Sequence, residues 1–430
     1  MAKHLVVISE DALVYEDLRI LRHTPNFARH WDQSARIRKV RSIYPTLTYP
    51  AHTTMRTGVF PAKHGIVNNE QKTLCEVSST WEFFNDAVKV KDLFDACKAQ
   101  GLSTAGVFWP VTGNHPSIDY LINEYWPQSP EESAEECFIH SGSSREVLEK
   151  VIKPNLHLLE HRIHPYCDAF IHACACFMIR EFKPNLLMIH PANIDTYRHQ
   201  TGIFSDLVTH GLHEIDYWLG DIIKAVRDAG ILEDTAFFIV SDHGQINVTR
   251  KSAPNVRFRE RGIIDVDSSG NITDYLAFSK AAGMSAHVYL KNPYSAQEHD
   301  RVHDVLLEMR DEGGFGIERV YLAEEAAWEE GLAGGFSFVL ETDGSTTFIN
   351  DWLGAPVRAF SNDNLSLGRG AHGHHPDKGP QPTLFAFGQG IKPGVVLDSA
   401  FLVDLAPTFA HALGVRLEKA QGQALTELFQ

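Results

Sequence analysis

The sequence predicts an α/β fold: a mostly parallel sheet sandwiched between helices, with one cap insertion. Three observations carry this. Short apolar runs rich in β-branched and aromatic residues recur along the chain, and segments of helical periodicity lie between them. The stretch 246–367 breaks that alternation, being rich in Arg, Gly and turn residues. The 430 residues are enough to bury a large core.

The strand-like runs are residues 5–9, 104–109, 186–190, 236–241 and 383–388. Helical patterns cover 90–100, closed by Gly101, and 401–413, closed by Gly414. A third covers 207–229, with Leu212, Ile215, Leu219, Ile222 and Val226 along one face and Gly230 at its end. Strands alternating with helices imply a doubly wound sheet. The expected domains are a catalytic core of residues 1–245 and 368–430 and a cap insertion of 246–367. The insertion has a strand-like run at 286–290 and a helical run at 296–309. No internal repeat or low-complexity linker interrupts the chain.

Hydrophobic residues make up 43% and charged residues 22%, the balance of a globular protein. A formal net charge of −16 argues against nucleic-acid duplexes and anionic membranes as partners. A small phosphate ester is compatible, because bound metal ions reverse the local sign. No stretch reaches the ~18 uncharged apolar residues that span a bilayer. The first residues run straight into the strand at 5–9 without a signal-peptide pattern, so a cytoplasmic location is expected. The six cysteines, with Cys174 and Cys176 as a C-x-C pair, are expected as reduced, mostly buried thiols. Oligomeric state leaves no signal in the sequence.

Three predicted strands are followed within a few residues by carboxylates. The first leads to Asp11, the second to Asp195 with His199 four residues on, and the third to Asp242-His243-Gly244. Ligand sites of open parallel sheets lie beyond the carboxyl ends of the strands. Asp11, Asp195, His199, Asp242 and His243 should therefore share one rim. Carboxylates and imidazoles gathered there call for a divalent cation, and oxygen plus nitrogen donors suit zinc or manganese. Alone, an Asp-His pair is more commonly a cap or an ion pair; the recurrence at three strand exits points to metal. Residues 44–58 read as a loop entering a helix, with Pro50 in the first turn and Gly58 as the stop. Thr48 then stands at the helix N-terminus, where an anion is favoured and a metal can activate the hydroxyl. The plainer alternative makes Thr48 a helix cap.

The runs 46–52 and 57–69 resemble the nucleotide pyrophosphatase/phosphodiesterase family of the alkaline phosphatase superfamily. So do Asp195-x-x-x-His199, Ser241-Asp242-His243-Gly244, Gly370-Ala371-His372-Gly373 and Leu402-Val403-Asp404-Leu405-Ala406-Pro407-Thr408. The resemblance implies an alkaline-phosphatase-like sandwich and two metal sites, zinc first and manganese as the alternative. One site would be Asp195, His199 and His372; the other Asp11, Asp242 and His243, with Thr48 as metal-bound nucleophile. It implies hydrolysis of phosphodiesters or nucleotide pyrophosphates through a phosphothreonine. Asn69, next to Asn68, matches the asparagine that holds a phosphoryl oxygen. Tyr49 matches the aromatic on which a nucleobase or other leaving group stacks. Two positions depart from the family: Asp11-Ala12 replaces Asp-Gly, and Pro50-Ala51-His52 replaces Pro-Asn-His.

A phosphonate hydrolase or a phosphomonoesterase would use the same metal core. Residues 105–113 contain no Lys or Arg where monoesterases of this superfamily carry them, which favours diesters. A sulfatase is excluded, since Thr48 cannot become formylglycine. A non-catalytic binding protein of this fold would be expected to have lost ligands, and none is missing. The cluster Arg250, Lys251, Arg257, Arg259 and Arg261 is read either as a solvated face or as a clamp for a second anionic group. Phe108-Trp109-Pro110 is read either as leaving-group pocket or as core. His52, His64, His374 and His375 are read either as partners that support the metal ligands or, more plainly, as ordinary loop and helix histidines.

Overall fold

The computed structural model describes residues 1–359 and 369–430. Its centre is an eight-stranded sheet. The strand order is Val396–Phe401, Ala35–Arg41, Leu384–Gly388, Thr235–Val240, His4–Ser9, Leu186–Ile189, Thr104–Val107, Tyr120–Ile122. Every pairing is parallel except the two made by Leu384–Gly388, which runs against both its neighbours. The mostly parallel sheet expected from the sequence is therefore present.

Alternation of side chains across each strand splits the core in two. Val6, Ile8, Leu187, Ile189, Phe237 and Ile239 face helices Tyr166–Phe182 and Asp206–Asp228. Leu5, Val7, Leu186, Met188, Phe238 and Val240 face helices Thr48–Thr57, Leu93–Ala99 and Leu405–Leu413. Each such side chain stabilises the fold by roughly 1.5–3 kcal/mol when fully buried. In the register of the central strands, Ile8 lies beside both Ile189 and Ile239. Three strands thus end level, and the residues that follow them meet at one edge.

Local signals explain most boundaries. Helix Asp206–Asp228 is capped by Ser205, whose side chain accepts from the Val208 amide. Helix Leu93–Ala99 starts later than the periodicity suggests, because Asp92 and Asp95 form a capping box. The predicted helix 401–413 is shorter: Phe401 ends an edge strand, and the α-helix begins at Leu405. Strand Ala35–Arg41 was not predicted, because Arg38 and Lys39 interrupt its apolar alternation.

None of the strands between Ile246 and Ala359 joins the central sheet. Four of them form a separate antiparallel sheet, ordered Ala277–Ala282, Ser285–Leu290, Phe338–Thr342, Ile317–Leu322. Helix Ala296–Asp311 covers it through Val302, Leu306 and Met309, which share a cluster with Val288, Phe338 and Leu340. The predicted end of the insertion, Leu367, lies outside the described residues. Among the described residues no helix is long and apolar enough to cross a membrane.

Candidate metal and phosphoryl site

Asp195 and His199 stand four residues apart on helix Asn193–Thr201, with His199 Nε2 3.3 Å from Asp195 Oδ2. His372 follows the short strand Gly370–Ala371 and brings its Nε2 to 3.8 Å from Asp195 Oδ1. Asp11 follows strand His4–Ser9, and Asp242 and His243 follow strand Thr235–Val240. His243 Nε2 lies 3.1 Å from Asp242 Oδ2 and 3.5 Å from Asp11 Oδ1. In each trio the donor atoms fall within 4.8 Å of one another. The structure thus brings all six residues together as two adjacent groups.

Backbone carbonyls orient two of the rings. His199 Nδ1 is 2.7 Å from the Gly370 carbonyl, and His372 Nδ1 is 3.0 Å from that of Thr46. A proton on each Nδ1 leaves Nε2 as a lone pair aimed at the cluster. The Gln245 side-chain amide donates to Asp195, and His190 Nε2 lies 3.0 Å from Asp11 Oδ2. Neither His190 nor Gln245 was predicted, although both follow strand ends as the ligands do.

The electrostatics call for positive charge. Burial, aided by the Asp195 charge, pushes the Asp11 carboxyl up to about 7. Burial and Asp11 push Asp242 well above the carboxylate range. Burial opposes the Asp195 charge too, but His199 and His372 outweigh it and hold that carboxyl below its ordinary value. Burial keeps His372 down at about 4, and burial with His372 holds His243 well below the imidazole range. Asp11 Oδ1, Asp242 Oδ2 and His243 Nδ1 are buried without a hydrogen-bond partner. Two divalent cations would satisfy these orphans and these carboxylates, so the donor set fits the expected metals. A third trio, Asp92, Asp95 and His115, differs: the buried Arg56 guanidinium already neutralises Asp92.

Thr48 opens helix Thr48–Thr57, which stops at Gly58 with φ 70°. Leu47 holds the cap position, so Thr48 is not the cap. Its Oγ1 lies 3.1 Å from His243 Nε2 instead. His52, one turn on, places Nδ1 2.8 Å from the Thr48 carbonyl and 3.6 Å from Asp242 Oδ2. Asn69 accepts the Tyr49 amide hydrogen on Oδ1 at 2.9 Å, which leaves its NH2 end as donor at the cavity wall. Asn68 commits both ends to backbone, donating to the Ala281 carbonyl and accepting from the Glu70 amide.

Asp11, Thr48, Asn68, Asn69, Asp195, His199 and His372 line a cavity of about 530 Å³. Tyr49 is not among the lining residues. It is fully buried against Ile66 and Val111, with its ring edge-on to Trp81 at 5.1 Å. The aromatic walls are Trp81, Tyr125, Trp126 and Phe108, which the expectation for Tyr49 missed. Trp109 belongs to the core and donates to the His52 carbonyl at 3.3 Å, so the Phe-Trp pair divides between pocket and core. Arg162 is the one Lys or Arg in the described lining of this cavity, and its guanidinium stacks on Trp126 at 4.7 Å. Most of the basic cluster is engaged elsewhere: Arg257 pairs with Glu312 at 2.7 Å, Arg261 with Glu308 at 2.8 Å, and Arg250 with Asp343. Ala12 adopts φ 60°, a left-handed conformation that suits the glycine usual at this position.

The family model described as "Type I phosphodiesterase / nucleotide pyrophosphatase" matches residues 5–368, and the chain belongs to that family. A rat relative named ectonucleotide pyrophosphatase/phosphodiesterase family member 1 is 23% identical over 48% of this chain and 20% of its own length. The Saccharomyces cerevisiae protein named ectonucleotide pyrophosphatase/phosphodiesterase 2 is 24% identical over 59% of this chain and 48% of its own. The matches thus span about a fifth to a half of these relatives. Murine ectonucleotide pyrophosphatase/phosphodiesterase 5 superposes with a TM-score of 0.70 at 18% identity, covering 99% of this chain and all of that one. An inactive variant of the murine protein, solved in complex with AMP, gives 0.69 at 17% identity with full coverage of both chains. These likenesses show the fold.

Proposed function

We propose that this chain is a two-metal phosphodiesterase that acts through a phosphothreonine on Thr48. The observation that carries the proposal is the position of Thr48 Oγ1, at a helix N-terminus and 3.1 Å from His243 in the paired carboxylate–imidazole clusters. Asp195, His199 and His372 would hold one cation; Asp11, Asp242 and His243 would hold the other, beside Thr48. Zinc suits these donors best, with manganese as the alternative. Bound there, the cations polarise the phosphoryl oxygens and lower the pKa of the attacking hydroxyl.

The chain's own groups do the rest. Thr48 Oγ1 forms a bond to phosphorus as the bond to the leaving oxygen breaks. Asn69 donates its NH2 to a phosphoryl oxygen, and the first amides of helix Thr48–Thr57 face the same charge. Water then cleaves the phosphothreonine and restores the hydroxyl. Trp81 and Trp126 offer flat apolar faces to the ester group, which suits a nucleotide-like substrate. The insertion acts as a cap over this site, its described part contributing Ala281, Gly283, Thr347, Phe348 and Asn350 to the cavity wall. The six free thiols, five of them buried, suit a reducing, cytoplasmic setting.

Diesters are preferred to monoesters in this reading, because among the described residues the cavity lining supplies only Arg162 as a fixed cation for an additional negative oxygen. Matched 4-nitrophenyl diester and monoester substrates test it through kcat/KM. A clear preference for the monoester would refute the diesterase assignment, and no turnover of either by metal-loaded protein would refute the hydrolase.

A further inference from the structure

The cavity at Thr48 continues past its aromatic wall into a second cavity of about 640 Å³. Glu70, Trp81, Trp126, Arg162, Phe348 and Asn350 line both. Lys251, Asp351 and Arg358 line only the second among the described residues.

The charge balance there is positive. Glu70 is held by Lys280 at 2.9 Å, and Asp351 by Arg358 at 2.6 Å. Removing these pairs leaves Arg162 and Lys251. Arg162 rests on the two tryptophans, 4.7 Å from the Trp126 centroid and 5.4 Å from that of Trp81. Lys251 is only 9% exposed. It sits on the middle strand Arg250–Ser252 of a three-stranded sheet, flanked by Thr346–Phe348 and Val357–Ala359. Arg358 is its register partner across that sheet, which adds a like charge. Among the described residues Lys251 has no carboxylate within ion-pair reach, and Asp351, whose field reaches it, is spent on Arg358. The stem of Lys251 is packed in while the residue lines the second cavity, so its charge is available to whatever enters there. In the sequence cluster Arg250, Arg257 and Arg261 have acidic partners, and Arg259 lines neither cavity.

We propose that this second cavity binds an anionic group, a phosphate or carboxylate, carried by the far part of the substrate, with Lys251 as its main contact. The proposal rests on the reading of the Thr48 cavity as the phosphoryl site. It assigns the enzyme to substrates charged at two separated points: the phosphoryl group at Thr48 and a second anion beyond Trp81 and Trp126.

Binding tests this independently of turnover. Zinc-loaded full-length protein is titrated calorimetrically with alkanediol bisphosphates of graded length, each against the alkyl monophosphate of the same length. At the length that spans the two cavities, the bisphosphate should bind about tenfold more tightly, as a charge-assisted contact allows. Lys251→Gln should abolish that gain, Lys251→Arg should keep it, and monophosphate affinity should be the same in all three proteins. Equal affinities at every length, a gain that survives Lys251→Gln, equal weakening of both ligands, or failure of both to bind would each overturn the subsite. Wild-type turnover of aryl phosphodiesters is measured alongside. A binding gain without turnover would refute the hydrolase reading and leave the subsite standing; turnover without a gain would do the reverse.

Discussion

The imidazole of His243 lies flat on that of His372, with ring centroids 3.9 Å apart and planes 13° from parallel. His243 closes the Asp11 group and His372 closes the Asp195 group. The stack joins the two clusters into one centre. Burial and the proximity of the two rings favour their neutral forms, the forms that bind a cation.

The first prediction follows from this centre. Purified protein should carry two divalent ions per chain by elemental analysis. Removing them with a chelator should abolish hydrolysis and lower Tm, since ions that bind only the folded state add to its stability. Asp11→Asn and Asp195→Asn should each reduce the metal content. Full metal occupancy in the double variant would rule these clusters out as the binding site.

Thr48 offers a sharper test. Thr48→Ala should fold, keep its metal and lose at least ~10³-fold in kcat, as expected on deleting a covalent nucleophile. Thr48→Ser keeps the attacking oxygen and should retain part of the activity. An alanine variant that turns over aryl phosphodiesters at the wild-type rate would leave Thr48 with no chemical role.

Asn68 and Asn69 should separate cleanly. Asn69→Ala should lower kcat by roughly 10²-fold, the cost of removing one donor to developing charge. Asn68→Ala strands the Ala281 carbonyl and should cost about 1–3 kcal/mol of stability while leaving kcat near wild type. Steady-state kinetics and denaturant melts of both variants decide it; a reversed pattern would make Asn68 the phosphoryl ligand.

Stability should fall on acidification because of histidines remote from the metals. Burial holds His172 down at about 4, and His64 and His287 at about 3. Between these values and the ordinary imidazole value of 6.5, the unfolded chain binds protons that the folded chain refuses. Stability therefore falls as pH drops through that window, by up to ~1.4 kcal/mol per pH unit for each ring, and these rings add no further loss below it. His172→Phe keeps the stack on Trp218, now at 4.6 Å, and removes the titration. Denaturant midpoints should then fall less between about pH 7 and about pH 5 than in the wild type. An equal fall would mean that His172 takes up its proton alike in the folded and unfolded chains.

Much of the centre was legible in the sequence, for a physical reason. Asp11, Asp242 and His243 directly follow strands whose apolar runs are unmistakable, and parallel strands in register bring their carboxyl ends level. The spacing of Asp195 and His199 is a helical turn, and the helix is there. These placements depend on short-range periodicity and one rule of sheet topology. Tyr49 failed because adjacency along a helix is not adjacency in space. One residue turns the side chain by about 100°, so Tyr49 points toward Ile66 and Val111 while Thr48 faces His243.

What the sequence determined by itself was the fold class and the gathering of Asp11, Asp195, His199, Asp242 and His243 at the strand ends, since both are written in local pattern and residue type. What only the tertiary structure decided was the surroundings of that set. His190 against Asp11, Gln245 on Asp195, the Trp81–Trp126 wall and the place of Lys251 in the cavity beyond it each depend on segments far apart in the chain. The basic run at 250–261 shows the difference most plainly. Four of its five cations already part ways: Arg250, Arg257 and Arg261 meet acids brought over by folding, and Lys251 meets a cavity. Which charge is neutralised and which faces a cavity depends on those distant partners, and no local pattern encodes them.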